Sequence, residues 1–431
     1  MPKTTKEIKR NVQAPKGMHD ILPRDIPWWR KFETVANDLA EAYGFRKIIT
    51  PITEETDIFS RGVGLETDIV NKEMYSFKTK GGDFLTLRPE GTAGVVRAYI
   101  ENNMSTWPQP VKLYYCGPMF RHENPQKDRY RQFFQFGLEA IGDPSPVIDV
   151  EIIWVSYLIF NSLGFKDINF EINSIGCPAC RADYLKIIKS FYKTKQNKLC
   201  SACKERFKTN PLRLLDCKEA KCQELRQGLP SMLDSLCPEC HDHFHQVLDM
   251  LDYLQVPYTL NPYLVRGLDY YTKTVFEIKT ISGDSAISLG GGGRYDGLVK
   301  LLGGSSQPAV GVALGIDRII SVFQALHDKE PNIKKNRVYL VQIGEAAKKR
   351  AFLLTEDLRK NGISVYSSLS KDSLRNQLKT ADREKVKLAL ILGQEEEREG
   401  TIIIRDMESG IQEVVMQDKL VPSIKKKLAL E

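Results

Sequence analysis

Three arginines stand in segments that also carry glycines, acids and aromatics. They are Arg121 in Phe120-Arg121-His122-Glu123, Arg266 in Leu264-Val265-Arg266-Gly267-Leu268-Asp269-Tyr270-Tyr271, and Arg318 in Gly315-Ile316-Asp317-Arg318. A guanidinium pairs its fork of donors with phosphate or carboxylate oxygens. Transfer at phosphorus needs such positive charge as the transition state forms. The segment around Arg121 continues through Arg129, Arg131 and Phe133, and an aromatic ring there offers a face for a base. Read alone, each segment is also compatible with a solvated hairpin whose charges satisfy one another. Three of them in structured stretches weaken that reading. Neither G-x-x-x-x-G-K-[ST] nor G-x-G-x-x-G occurs, so a nucleotide would not sit on a common phosphate loop. The run Gly290 to Gly293 reads either as a tight turn or as strands packed closely on a ligand.

Cysteine forms the second group. Eight of the nine cysteines fall between Cys177 and Cys240. Three C-x-x-C pairs (Cys177/Cys180, Cys200/Cys203, Cys237/Cys240) and a looser pair, Cys217/Cys222, would supply two zinc sites of four thiolates. The alternatives are reduced thiols packed as small hydrophobes, or redox-active pairs. His241, His243 and His245 read as surface or RNA-facing rather than as ligands. From Arg181 to Arg226 there are 13 basic and 5 acidic residues, an excess of +8 against +7 for the whole chain. Such a basic lobe suits a phosphate backbone, or is a solvated lysine-rich face.

The elements that must position these residues are legible from period and punctuation. Trp29, Phe32, Val35 or Ala36, Leu39 and Tyr43 mark a helix that starts near Asp25-Ile26-Pro27 and stops at Gly44. Residues 45–52, broken by Pro51, read as an edge strand. Strands are expected at 84–87, 111–116, 133–141, 275–281 and 310–314, with helices at 93–100 and 147–163 and a further helix from Ile316. Alternating aromatic and polar residues in these strands imply an antiparallel sheet with one face on the core and one free for chemistry. A polar linker near 325–337 precedes alternating strands and helices, a small α/β unit. With 431 residues, 42% hydrophobic and 27% charged, the chain suits a soluble protein of about three units. The first residues, MPKTTKEIKRNVQ, hold no apolar run, and the longest near-apolar stretch (152–160) is too short for a membrane helix. A cytoplasmic protein without a membrane role is expected.

Together these segments resemble the signature motifs of the class II aminoacyl-tRNA synthetases. The helix before Gly44 with the strand through Pro51 is similar to motif 1, Phe120 to Glu123 with its loop to motif 2, and Gly315 to Arg318 to motif 3. Within that class, LVRGLDYYTKTVFE (264–277) and GGGRYD (291–296) resemble segments specific to the histidyl-tRNA synthetases, and LRPEGTAG (87–94) agrees. The resemblance runs through essentially the whole chain in order.

It implies an α+β catalytic core, an antiparallel sheet flanked by helices, over 1–176 and 261–328. A helical Cys-rich basic lobe is inserted at 177–260, and a C-terminal α/β anticodon-binding domain occupies 336–431. The implied reaction activates L-histidine with ATP to histidyl-adenylate and pyrophosphate, then loads the 3′ end of tRNA(His). Arg121 and Arg266 are the implied catalytic residues, each bridging the histidine carboxylate and the ATP α-phosphate. Glu90, Thr92 and Gln135 are placed at the histidine amino group, with Gly91 also among the histidine-binding residues. Glu139 and Tyr271 are placed at the imidazole nitrogens, with Tyr270 lining the pocket and Tyr295 closing it. Glu123 and Phe133 are assigned to adenine, Arg129 and Arg318 to the terminal phosphates, and Gln126 with its neighbours to the tRNA acceptor end. Magnesium with ATP, a homodimer formed through motif 1, and a zinc feature confined to the insertion complete the expectation. Two rivals are a non-catalytic paralogue that regulates a phosphoribosyltransferase, and a module that binds tRNA without charging it.

Overall fold

The computed structural model describes residues 12–64, 67, 69–124, 128–282, 285–327, 331, 337–370 and 373–428. Gln126 and most of the expected linker lie outside them. Two compact units are present, Met1–Pro331 and Asn332–Glu431.

In the first unit, helix α1 (Ile26–Ala42) has a proline in its first turn and buries Trp28, Trp29, Phe32, Ala36 and Ala40. Gly44 then turns the chain at φ +81°, a conformation that costs glycine little. Strand β1 (Arg46–Lys47) follows, then β2 (Thr53–Glu55), α2 (Thr56–Val63), β3 (Tyr75–Lys78), β4 (Phe84–Leu87) and α3 (Thr92–Glu101). The long strands β5 (Val111–Phe120) and β6 (Gln132–Ile141) lead into α4 (Pro146–Ser162) and β7 (Ile168–Ser174). The inserted lobe holds α5 (Pro178–Tyr192), α6 (Ser201–Thr209), α7 (Ala220–Leu225) and α8 (Pro238–Tyr253). The chain returns through β8 (Tyr258–Leu260), β9 (Thr272–Ser282), β10 (Ser285–Arg294), α9 (Leu298–Leu301), β11 (Ala309–Gly315) and α10 (Ile316–Leu326).

Eight strands form one sheet in the order β1-β5-β6-β11-β10-β9-β7-β8. Its central pairs are antiparallel and its two outermost pairs parallel. The strand at 84–87 belongs instead to a separate three-stranded sheet, β2-β4-β3. The period-two alternation of a strand sorts the large sheet's faces. On β6, Phe136, Leu138 and Ala140 join Phe32 of α1, Ile153 and Phe160 of α4, and Ile320 and Phe323 of α10 in one core. The alternate positions, Phe133, Gln135, Gly137 and Glu139, face away from that core. On this second face Tyr99, Leu113, Tyr115, Tyr270, Tyr271 and Tyr295 form another cluster.

Other expectations change as well; of the edge strand expected over 45–52, only Arg46–Lys47 forms a strand of the large sheet. Strand β5 runs four residues past Cys116, through Gly117-Pro118. β1 pairs with β5 only at Leu113 and Tyr114, so no ladder bond is demanded of the missing N–H of Pro118. Of the two readings of Gly290 to Gly293, the closely packed strand holds and the turn does not, for these glycines lie within β10, paired on both sides. His243 is buried, 3.5 Å from Asp149, although His241 and His245 are exposed as expected.

The second unit has a five-stranded sheet built from β12 (Arg337–Gln342), β13 (Ser364–Ser367), β14 (Leu388–Leu392), β15 (Thr401–Asp406) and β16 (Gln412–Met416), in the order β13-β12-β14-β15-β16. Helices α11 (Glu345–Lys360), α12 (Leu374–Arg383), α13 (Gln394–Glu399) and α14 (Leu420–Leu428) accompany it. Apolar clusters built on Leu340, Leu388 and Leu390 on one face, and on Tyr339, Ala381 and Ile391 on the other, make it a layered α/β unit. Among the described residues, no helix is long and apolar enough to cross a membrane.

One buried ion pair ties the first unit together. Arg294 is fully buried and donates from Nε to Asp149 of α4 at 3.0 and 3.2 Å, and from its other nitrogens to the carbonyls of Asp143 and Ser145. Burial alone would raise the Asp149 pKa, but His243 and Arg294 hold it below its ordinary value. Replacing Arg294 with alanine leaves a buried carboxylate without its cation, at a cost of roughly 3–5 kcal/mol. Denaturant unfolding of Arg294→Ala should lower the transition of the first unit by that amount, and an unchanged midpoint would contradict the role.

Candidate active site

The second face of the large sheet opens into a cavity of about 210 Å³. Its floor comes from β6, where Phe133 and Gln135 point inward by alternation. Across the ladder, Gly315 opposes Gln135, Ala313 opposes Gly137 and Gly311 opposes Glu139. These small partners make room. A Cβ at Gly311 would stand 1.8 Å from Glu139 Oε2, and one at Gly291 would stand 2.6 Å from Arg266 Nη1. The glycine-rich strands therefore admit two charged side chains that the sheet would otherwise exclude.

The three arginines converge on this cavity. Arg121, Arg266 and Arg318 all line it, together with Arg129. Arg121 donates from Nε to the Pro89 carbonyl at 2.8 Å and lies over the Phe133 ring at 5.3 Å. Arg318 is held by the carbonyls of Asp128 and Ser288 at 3.2 and 3.0 Å, and burial lowers its pKa, with Arg129 adding to the effect. Arg266 is 6.0 Å from the Tyr271 ring, and its Nε is buried without a partner among the described residues. Glu123 lines the same wall, 3.7 Å from Arg129.

Glu90 and Thr92 enter from the start of α3. The Glu90 carboxylate accepts the backbone N–H groups of Thr92 and Ala93 at 2.7 and 2.8 Å, yet burial raises its pKa. Glu139 lies beneath the cavity wall. It accepts from Thr92 Oγ1 at 2.6 Å and from the Tyr295 hydroxyl. Burial pushes its pKa up to about 8, against the pull of those two hydrogen bonds. Tyr270, Tyr271 and Tyr295 complete the apolar wall, with ring centroids of 4.7 Å between Tyr270 and Tyr271 and 5.6 Å between Tyr270 and Tyr295. The Gln135 Oε1 atom is buried with no partner among the described residues.

Of the residues singled out from sequence, Gly91 is the one that contributes space rather than a surface. A Cβ there would stand 2.2 Å from Cζ of Tyr115, whose ring lies between Gly91 and Gly137. Tyr115 itself escaped the sequence reading, because a tyrosine inside a strand looks like core. Asp128, Tyr130, Glu277 and Ser288 also line the cavity without having been expected there. Asp317 positions α10 by accepting the Phe134 N–H at 2.7 Å. The eight insertion cysteines gather into two groups, Cys177/Cys180/Cys237/Cys240 and Cys200/Cys203/Cys217/Cys222, each with its sulfurs within 4.8 Å of one another.

Residues 17–319 match the model of the histidyl-tRNA synthetase family, and residues 337–427 match that of the anticodon binding domain. The chain belongs to the histidyl-tRNA synthetase family. It is 46% identical over 410 residues to a histidine–tRNA ligase of Desulfitobacterium hafniense, covering 94% of this chain and 96% of that one. A histidine–tRNA ligase of Acetivibrio thermocellus is 45% identical, over 96% and 99% of the two chains. Among solved structures, apo histidyl-tRNA synthetase of S. aureus superposes with a TM-score of 0.81 at 37% identity, covering 96% of this chain and all of that one. The family's fold, a large sheet with flanking helices followed by a domain with its own sheet, is the fold seen here.

The buried carboxyls of Glu90 and Glu139 set a pH dependence. Their folded pKa values lie above the ordinary carboxylate range. Their contribution to stability is therefore full below that range and is lost as pH rises through about 8 for Glu139. Thermal melts of the ligand-free protein at roughly pH 5 to 9 should show this component, and Glu139→Gln should lose it. Identical pH slopes for the two proteins would contradict the assignment.

Proposed function

We propose that the chain is a histidine–tRNA ligase. It activates L-histidine with ATP, releases pyrophosphate, and passes the histidyl group to the 3′ end of tRNA(His). The observation that carries the proposal is the meeting of three distant arginines with a buried carboxyl in one cavity, where a donor on Arg266 and an acceptor on Gln135 lack partners.

A free amino acid with an imidazole satisfies those groups. Its ammonium meets Glu90, Thr92 and the Gln135 oxygen, its carboxylate meets Arg121 and Arg266, and its ring lies between Glu139 and Tyr271, with Tyr270 and Tyr295 around it. A carboxyl and a phenol together satisfy both ring nitrogens in either tautomer. A substrate without an imidazole makes no ring-nitrogen pair with Glu139 or Tyr271, and that loss opposes its binding. ATP places its adenine on Phe133 with its amino group towards Glu123, and its phosphates among Arg121, Arg129 and Arg318.

The histidine carboxylate oxygen attacks the α-phosphorus, and the bond to pyrophosphate breaks. The terminal hydroxyl of tRNA then attacks the activated carbonyl, and AMP leaves. No side-chain nucleophile takes part; positioning and arginine charge carry the rate. Asp128 and Glu277 would hold a magnesium ion near Arg318, and the ion would neutralise phosphate charge there. The exposed lysines of the inserted lobe, among them Lys186, Lys189, Lys193, Lys204 and Lys208, suit the acceptor arm of tRNA, and the second unit suits its anticodon. The protein acts in the cytoplasm as a homodimer joined through α1 and the strand after it.

Histidine-dependent exchange of pyrophosphate into ATP tests the reading. Arg266→Ala should lose on the order of 2–4 kcal/mol in kcat/KM, the scale of one charge-stabilising donor. Absence of exchange in the wild type would favour a regulatory, non-catalytic protein instead.

A further inference from the structure

The inserted lobe is small. Helices α6 and α7 are short, and the lobe's core holds five buried cysteines beside Tyr184, Ile188, Tyr192 and a few leucines. So small a core rarely holds a fold without staples. The cysteines are free, and their spacing does not match disulfides. Cys177 and Cys180 sulfurs are 3.6 Å apart and those of Cys200 and Cys217 are 3.9 Å apart, where a disulfide needs about 2.05 Å. Four thiolates at about 2.3 Å from one ion stand about 3.8 Å from each other, which is the spacing seen.

The surroundings also suit thiolates. Cys177 and Cys237 cap the starts of α5 and α8, with Cys180 and Cys240 one turn on, so two helix N-termini converge on one point. Backbone N–H groups donate to sulfur, Cys237 N to Cys180 Sγ at 3.1 Å, Cys200 N to Cys222 Sγ at 3.4 Å and Cys203 N to Cys200 Sγ at 3.4 Å. A divalent ion with four thiolates carries a net charge of −2, and the +8 excess between Arg181 and Arg226 offsets two such centres.

Each group of cysteines is fastened to the loop that carries Arg266. Arg181, next to Cys180, donates to the backbone carbonyls of Asp269 and Tyr271. The Gly176 carbonyl, next to Cys177, accepts from Thr272 Oγ1 and Lys273 N at 3.0 and 2.9 Å, and Lys273 Nζ pairs with Glu239 between Cys237 and Cys240. From the second group, between Cys203 and Cys217, Asn210 donates to Asp269 Oδ1 at 2.8 Å and Arg213 donates to the Arg266 carbonyl at 3.0 Å.

We propose that the lobe binds two zinc-class ions, one at Cys177/Cys180/Cys237/Cys240 and one at Cys200/Cys203/Cys217/Cys222, and that the lobe they fix positions the Arg266 loop for histidine. The positioning half rests on the ligase reading, and the metal half does not. Arg181, Asn210 and Arg213 are positioning residues, acting on the loop backbone and on Asp269.

Metal analysis of the purified full-length chain should give two zinc ions per chain, and one ion in either Cys203→Ser or Cys240→Ser. Fewer than two in the wild type, or a single substitution that removes both or neither, overturns the two-site assignment. Should a serine variant fail to fold, cobalt titration of the metal-stripped wild type decides. Thiolate-to-cobalt absorption saturating at two equivalents supports the sites, and saturation at any other ratio overturns them. For positioning, Arg213→Ala should keep both ions, raise KM for histidine about tenfold, the scale of one lost hydrogen bond to a charged group, and leave KM for ATP in place, with partial rescue by Arg213→Lys. An unchanged histidine KM overturns that half. Two ions without pyrophosphate exchange would remove the ligase reading and leave the metal sites standing. Exchange without metal would do the reverse.

Discussion

Polar groups buried without partners constrain this molecule most. A buried donor or acceptor left unpaired costs about 1–3 kcal/mol. Among the described residues, Arg266 Nε and Gln135 Oε1 of the cavity lining are such groups, beside the buried carboxyl of Glu139. A ligand that supplies a carboxylate, an ammonium and a ring with two nitrogens resolves all of them together. Selectivity then follows from what each wrong ligand leaves unmatched, and tight shape fitting is secondary.

Placing charge inside a sheet protein requires space, and the sheet provides it by pairing bulk with its absence. Glu139 faces Gly311 across the ladder, Gln135 faces Gly315, and Arg266 lies over Gly291. The same device seats Tyr115 between Gly91 and Gly137, and Arg88 beside Gly117, where an added Cβ would stand 2.5 Å from Nη2. Glycine in a strand interior weakens the strand. Here β10 has antiparallel partners on both sides, and the buried pair of Arg294 and Asp149 anchors its last residue to α4.

Much of this was legible from sequence because period and punctuation are local. The helix ended by Gly44 and the strand at 133–141 follow from spacing, and alternation on β6 placed Phe133, Gln135 and Glu139 on one face. What stayed hidden depends on distant partners. Gly117-Pro118 looks like a strand end until β6 is seen to pair with it on one side while the short β1 stops before it on the other. The run from Gly290 reads either as a turn or as packed strands until β9 and β11 flank it. His243 looks like its exposed neighbours until Asp149, far earlier in the chain, is found beside it. Tyr115 gives no local signal, since the two glycines that admit it lie in other elements. The cysteine pairs were visible as pairs, but which pairs share a centre is fixed only by the folding together of α5 with α8 and of α6 with α7.

The central claim is that a ligand is held by satisfying Arg266, Gln135 and Glu139 at once. Calorimetric titration of the ligand-free protein with L-histidine and with histamine, which keeps the ring and the ammonium but lacks the carboxylate, tests it directly. Histidine should bind, and histamine should bind at least about tenfold more weakly, because Arg121 and Arg266 then lose their partner. Equal affinities, or no heat with histidine, would contradict the account.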